Sequence, residues 1–165
     1  MARNLRVFFE IEIASKTCGR LVFELRGGIC PRTVENFVGL TLHKRGYGYR
    51  GSCIHRIVPG LLIQGGDITR GDGSGGVSIW GRDFRDENFA IHHTKRGILS
   101  MANFGPHTNN SQFVVSLSPC PWMERQSVAF GELVDGFAVL DVIESLAGPD
   151  QQVIRPVIVS HSGLA

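Results

Sequence analysis

A β-rich fold with a helix near each end is what this sequence predicts, and three observations carry the prediction. Twenty-one of the 165 residues are glycine, which points to many tight turns. Two runs near the start alternate apolar and polar residues. Between two amphipathic helical segments, the middle of the chain breaks into short β-like runs separated by Gly-, Asn- and Pro-rich stretches. At this length, residues 1–165 make one domain with no internal repeat or linker.

The elements follow in order. Val7, Phe9, Ile11 and Ile13 share one face of the first run, and Leu21, Phe23 and Leu25 one face of the second. Ser15–Gly19 between them reads as a turn, so the pair forms a hairpin. Pro31 at a first helical position, with Val34, Phe37, Val38 and Leu42 at helical spacing, marks an amphipathic helix. Short strands are then expected at Cys53–Ile57, Leu62–Gly66, Ile98–Ala102, Gln112–Leu117 and Val128–Leu133. A second helix covers Phe137–Leu146, with Val139, Val142, Ile143 and Leu146 on its apolar side. Val153–Ser160 is the last strand, with Pro156 marking an edge or a bulge. The architecture this gives is a barrel or sandwich whose open ends are capped by helices.

Composition excludes several classes. With 42% hydrophobic and 19% charged residues, the chain is not of the disordered type. Its longest apolar run, Ile57–Ile63, is interrupted by Pro59 and Gly60, so no membrane span is expected. A net charge of +2 gives no overall attraction to nucleic acid or an anionic membrane. The N-terminal MARNLRVFFEIEI lacks the shape of a signal peptide, and the terminal HSGLA carries no retention or lipidation signal. Cys18, Cys30, Cys53 and Cys120 contain no CxxC pair and read as reduced thiols. A cytoplasmic protein is expected, and the sequence does not settle cytosol against nucleus.

Several motif matches lose to plainer readings. Gly71–Gly76 fits GxGxxG, but Val77–Gly81 does not look like the helix a dinucleotide fold needs, and a flexible glycine loop is the better account. Asn109-Asn110-Ser111 is a glycosylation sequon without a secretory signal. Cys53 and His55 share a strand face but have no second ligand pair, so a packed pair is expected and no metal site. There is no GxSxG elbow.

Two stretches stand out together: Gly51-Ser52-Cys53-Ile54-His55-Arg56-Ile57-Val58-Pro59-Gly60-Leu61-Leu62-Ile63-Gln64-Gly65-Gly66-Asp67, and Gly97-Ile98-Leu99-Ser100-Met101-Ala102-Asn103. With Thr33–Phe37, Gly46–Tyr49, Asp86–Phe89, Thr108–Phe113, Trp122 and Val128–Gly131, they make the chain similar to the cyclophilins, the peptidyl-prolyl cis-trans isomerases, over nearly its whole length. The resemblance implies a closed eight-stranded antiparallel β-barrel with two capping helices and no cofactor. It implies a monomer that rotates X–Pro bonds in proline-containing segments of proteins, and cyclosporin A as a further ligand.

The chemistry needs an apolar socket for the proline ring, anchors for the flanking backbone and a donor that favours the twisted amide. By resemblance, Arg56 is the catalytic donor, and its always-charged fork suits that role better than a surface ion pair. Gln64 resembles the glutamine that holds the substrate backbone. Ala102 and Asn103 fall in the run that pairs with the extended peptide. Gln112 resembles a groove-lining glutamine and Trp122 the tryptophan at the pocket rim, while Phe113 reads as core.

The socket departs from the family pattern. Leu61 stands where most members have phenylalanine, Leu62 where they have methionine, Val114 in place of a second phenylalanine and Met123 in place of leucine. Ser127 replaces the pocket histidine, and Phe104 stands where alanine is usual. A wider, less complementary socket is expected, with weaker turnover on small peptides. The alternative is a proline-binding module with little or no catalysis, with Phe104 either narrowing or extending the groove.

Overall fold

The computed structural model describes residues 4–165; residues 1–3, where the stretch read for a targeting signal begins, lie outside the described residues. Eight antiparallel strands, β1 Leu5–Ile13, β2 Lys16–Leu25, β3 Ile54–Val58, β4 Leu62–Gly65, β5 Ile98–Met101, β6 Phe113–Ser116, β7 Ala129–Asp135 and β8 Val157–Leu164, form one sheet in the order β3-β4-β6-β5-β7-β2-β1-β8. The two ends of that order meet at a seam. The Gly51 N–H donates to the Val159 carbonyl at 2.7 Å, the Val159 N–H to the Ser52 carbonyl at 2.9 Å, and Cys53 bridges Ile158. The sheet is thus a nearly closed barrel, which decides between the barrel and the sandwich.

Alternation sorts the side chains. Val7, Phe9, Ile11, Phe23, Leu25, Ile57, Ile63, Leu99 and Val115 are buried inside. Helix α1, Pro31–Thr41, starts on its proline as expected and inserts Phe37 among them. The Phe37 ring lies 5.0 Å from Tyr49, 5.1 Å from Phe130 and 5.6 Å from Phe9, so aromatic packing ties the helix to the strands. Helix α2, Phe137–Glu144, approaches β2 so closely that a Cβ on Gly19 would sit 2.8 Å from Val139.

Four local expectations change. The β1–β2 turn is Ala14-Ser15 alone, both with positive φ (49° and 69°), the backbone of a type I′ hairpin turn that neither residue advertises. The extra residues read as turn belong to β2, where Cys18 forms a bulge opposite Ile11 and Glu12. Leu140 replaces Val142 on the buried side of α2, and Val142 is exposed. The last strand runs four residues further along than expected. Val153 and Ile154 instead close a loop back to Ala147 and Leu146, and the polar His161-Ser162-Gly163 is strand because β1 pairs with it.

Residues 66–97 contain no strand. Buried polar groups pin this stretch. The Asn36 amide donates to the Asn110 carbonyl at 2.8 Å and accepts from the Ile79 N–H at 3.0 Å, and Phe84 bridges Asn109. No helix among the described residues is long and apolar enough to cross a membrane.

Candidate active site

Arg56, Leu62, Gln64 and Val114 lie on three adjacent strands, β3, β4 and β6, and the other candidate residues lie on the turns and loops that flank them. Register sets Arg56 of β3 opposite Gln64 of β4, Gln64 opposite Val114 of β6, and Val114 opposite Ser100 of β5. Ile57, Ile63 and Val115, their neighbours in sequence, point inward and are buried. Arg56 reaches this row through a bulge. The register slips between Ile54 and Arg56, so His55 is the extra residue and both it and Arg56 leave the core.

A chain of amides fixes the guanidinium. Arg56 Nη1 donates to Gln64 Oε1 at 3.1 Å, Gln64 Nε2 to Gln112 Oε1 at 2.9 Å, and Gln112 Nε2 to the Gly73 and Gly75 carbonyls, each at 2.8 Å. From the other side, Arg56 Nε donates to Gln151 Oε1 at 2.6 Å. No carboxylate among the described residues lies within ion-pairing distance of Arg56. The arginine therefore stands as a cation held by neutral partners, with Nη2 unspent. Gln112 is only 1% exposed and both of its amide N–H bonds are spent on glycine carbonyls, so it stands behind Gln64 and holds its amide.

The glycine segment at the far end of this chain is built around a buried carboxylate. Asp67 accepts N–H bonds from Arg70 (2.9 Å), Asp72 (3.2 Å), Gly73 (2.8 Å) and Gly75 (3.0 Å). Burial works to raise its pKa, but these four donors outweigh burial and hold the carboxyl far below its usual range. Gly71–Gly76 is thus a nest wound on Asp67, not a flexible loop, and no helix follows it. Cys53 and His55 both face this segment. The Cys53 thiol donates to the Gly71 carbonyl at 3.4 Å, and Gly73 leaves no room for a Cβ beside the His55 ring. Burial, more than the neighbouring Arg56, lowers the His55 pKa against the pull of Asp67. Burial also raises the thiols of Cys53 and Cys120, and that of Cys30 to about 11, which leaves them poor nucleophiles.

Beside the row lies a small apolar cluster separate from the barrel core. It consists of Leu62, Val114, Met123 and Cys120, with Val58 and Ala102 packed against it. Three of the residues expected to form the socket, and Ala102, therefore come together. Val58 and Cys120 were not expected, and nothing local in the sequence marks them. Leu61 is not in the cluster. It stands 38% exposed on the β3–β4 turn, and its carbonyl accepts from the Leu117 N–H.

The rim comes from two loops. One is a single 3-10 turn, Pro121–Met123, which carries Trp122 outward, 53% exposed and outside the core. The Ser127 N–H donates to the Met123 carbonyl at 3.1 Å and closes this loop. Glu124 anchors it, taking the His93 N–H and His92 Nδ1 at 2.6 Å each. The other loop carries Asn103 and Phe104. The Asn103 side chain donates to the Gln126 carbonyl at 2.7 Å and so ties the two loops together. Its own backbone N–H and C=O have no partner among the described residues. Phe104 is 66% exposed and takes no part in the apolar cluster, so it stands beside the socket and does not fill it. Phe113 is core, as expected.

Asp67, Glu124 and Gln151 were missed by sequence reasoning. Asp67 announces itself only through the glycines that follow it, and Gln151 lies 95 residues from the arginine it meets. A family model described as cyclophilin type peptidyl-prolyl cis-trans isomerase matches residues 8–164 of the chain.

Proposed function

Because the chain belongs to the cyclophilin-type peptidyl-prolyl cis-trans isomerase family, we propose that Arg56 drives rotation of X–Pro bonds on the outer face of this barrel, with reduced turnover on small peptides. Such an enzyme accelerates a rotation whose uncatalysed barrier is about 18–20 kcal/mol. When the amide twists, its resonance is lost and the proline nitrogen gains a lone pair that the planar amide does not offer. A donor aimed at that nitrogen lowers the barrier because it binds the twisted form better than the planar one. Arg56 suits this: it is permanently charged, not neutralised by a carboxylate, and has Nη2 unspent. The step needs no nucleophile, metal or cofactor.

The observation that carries this reading is the row Arg56–Gln64–Val114 beside the Leu62–Met123 cluster. The cluster would seat the proline ring. The unpaired backbone groups of Asn103 would pair with the extended peptide on one side of it, while Gln64 holds the other. Reduced turnover follows from the socket's composition. Val114 offers several fewer carbons than phenylalanine, a loss of about 1–2 kcal/mol of contact. Ser127 has a shorter reach than histidine, and Leu61 lies out on the turn.

Two-dimensional NMR exchange on a short Ala-Pro peptide tests the reading. Cis/trans exchange peaks are expected with the protein and should vanish with Arg56→Ala while some peptide binding remains. Exchange that survives Arg56→Ala would overturn the arginine mechanism.

One observation favours a second reading, a proline-binding module with little turnover. Leu62, Val114 and Met123 are buried against one another, whereas Phe104 and Trp122 stand exposed at the rim. Peptide signals that shift without exchange, and that depend on Phe104 or Trp122, would support it. In either reading the protein acts as a monomer in the cytoplasm or nucleus, and cyclosporin A binds weakly, since its site includes the altered socket.

A further inference from the structure

The loop between α2 and β8 brings two consecutive left-handed residues beside the site. Pro149–Gln152 is a tight turn closed by the Gln152 N–H to the Pro149 carbonyl and by the Gly148 N–H to the Gln152 carbonyl. Both central residues, Asp150 (φ 55°) and Gln151 (φ 62°), are left-handed. Such a turn favours Asn-Gly or Asp-Gly, so the second position is one where glycine would sit without strain. Strain of this kind persists where something else holds it. Here the glutamine side chain leaves the turn and meets Arg56 Nε at 2.6 Å. It does so beside a cavity of about 360 Å³ that Arg56, Gln64, Gln151 and Gln152 help to line.

The guanidinium is thereby fixed at two points. Gln64 holds Nη1 and Gln151 holds Nε, so the plane of the fork cannot turn about the end of the side chain. A single hydrogen bond at Gln64 would leave that rotation free. We propose that Gln151 is a positioning residue: its amide oxygen locks the Arg56 guanidinium so that Nη2 faces the rotating amide, and its left-handed backbone is tolerated for that contact. The inference rests on the isomerase reading above.

The test compares Gln151→Gly with Gln151→Glu by the same NMR exchange measurement, together with the Nε–H signal of Arg56. Gln151→Gly removes the acceptor and relieves the left-handed strain, so the fold is retained. It is expected to slow exchange at saturating peptide about three- to tenfold, to change peptide affinity less than about twofold, and to deprotect the Arg56 Nε–H from solvent. Gln151→Glu keeps an acceptor at Nε, so it should keep the protection and lose less rate than Gln151→Gly, the remaining loss coming from its charge beside the guanidinium. An unchanged rate in Gln151→Gly overturns the positioning role, as do equal losses in both variants or an Nε–H already unprotected in the wild type. A wild type without Arg56-dependent exchange overturns the isomerase reading, and this inference falls with it.

Discussion

Val114 occupies the position between Gln64 and Ser100 in the outer row, and its neighbours decide what a larger side chain there would do. Leu62, Met123 and Cys120 already close around it, and the strand alternation that aims Val115 into the core aims Val114 out. A phenylalanine at 114 can therefore only extend across the socket. Val114→Phe is expected to raise kcat/KM on an Ala-Pro peptide by up to about tenfold, the equivalent of about 1–2 kcal/mol of added apolar contact. A fall in KM alone would mean that the ring binds ground and transition states alike. No change in either constant would place the proline elsewhere. Arg56, Gln64 and Gln112 were singled out because their local runs carry the resemblance, and the structure joins them in one chain of hydrogen bonds. What the sequence did not show is that the Gln112 N–H groups are spent on the glycine nest, and Asp67 was hidden because its ligands are backbone groups that a sequence does not display.

Among the elements, the 3-10 turn Pro121–Met123 depends on a neighbouring loop for its anchor. It carries both the exposed Trp122 and the socket residue Met123, and its anchor is Glu124 on His92 and His93 of that loop. Burial pushes the Glu124 carboxyl up, but the His93 N–H and the two imidazoles outweigh it and hold the pKa at about 2. Glu124→Gln keeps the shape and removes the charge that both histidines meet. The expected outcome is a KM raised about three- to tenfold with kcat little changed, since the rim binds the peptide and Arg56 remains in place. A drop in kcat at unchanged KM would contradict this division of labour. Sequence periodicity located α1, most strands and the start of α2, because their apolar faces repeat at the period of the element. It misplaced β8, whose second half is strand only through its partner β1, and it put Val142 inside because a helical wheel does not say which arc meets β2.

For the whole molecule, the seam between β3 and β8 decides the architecture and also completes the site, because Gln151 arrives on the chain leading into β8. Alternating runs could be assigned face by face, but the partner of Ser52 and Cys53 lies more than a hundred residues away, so the runs alone left barrel and sandwich open; the barrel came from the resemblance, and the structure bears it out. The same compactness fixes how stability depends on pH. Burial is the largest cause lowering the pKa of His43, His55 and His93 below the usual 6.5, so the fold disfavours their protonation. Asp67 and Glu124, held by backbone N–H groups and imidazoles, and Glu132, held first by Lys95, have pKa values depressed below those of the unfolded chain. In both classes the unfolded chain binds more protons than the folded one between the two pKa values, so stability rises with pH through each window. Urea unfolding should therefore have its highest midpoint between about pH 7 and about 8.5, above which the thiols of the unfolded chain ionise before the buried ones, decline gently below about 6.5 as the histidines of the unfolded chain protonate, and fall steeply below about 4.5 as the carboxylates follow. Asp67→Asn should flatten part of the acid limb at the cost of a lower midpoint at neutral pH, because the N–H donors are shared between both carboxylate oxygens and an amide nitrogen in place of either one turns a donor toward donors. A midpoint that rises on acidification from about pH 7 to about 5 would mean that repulsion among the basic side chains of the fold is small beside some carboxylate strain relieved by protons, and the burial of these groups would have to be read the other way.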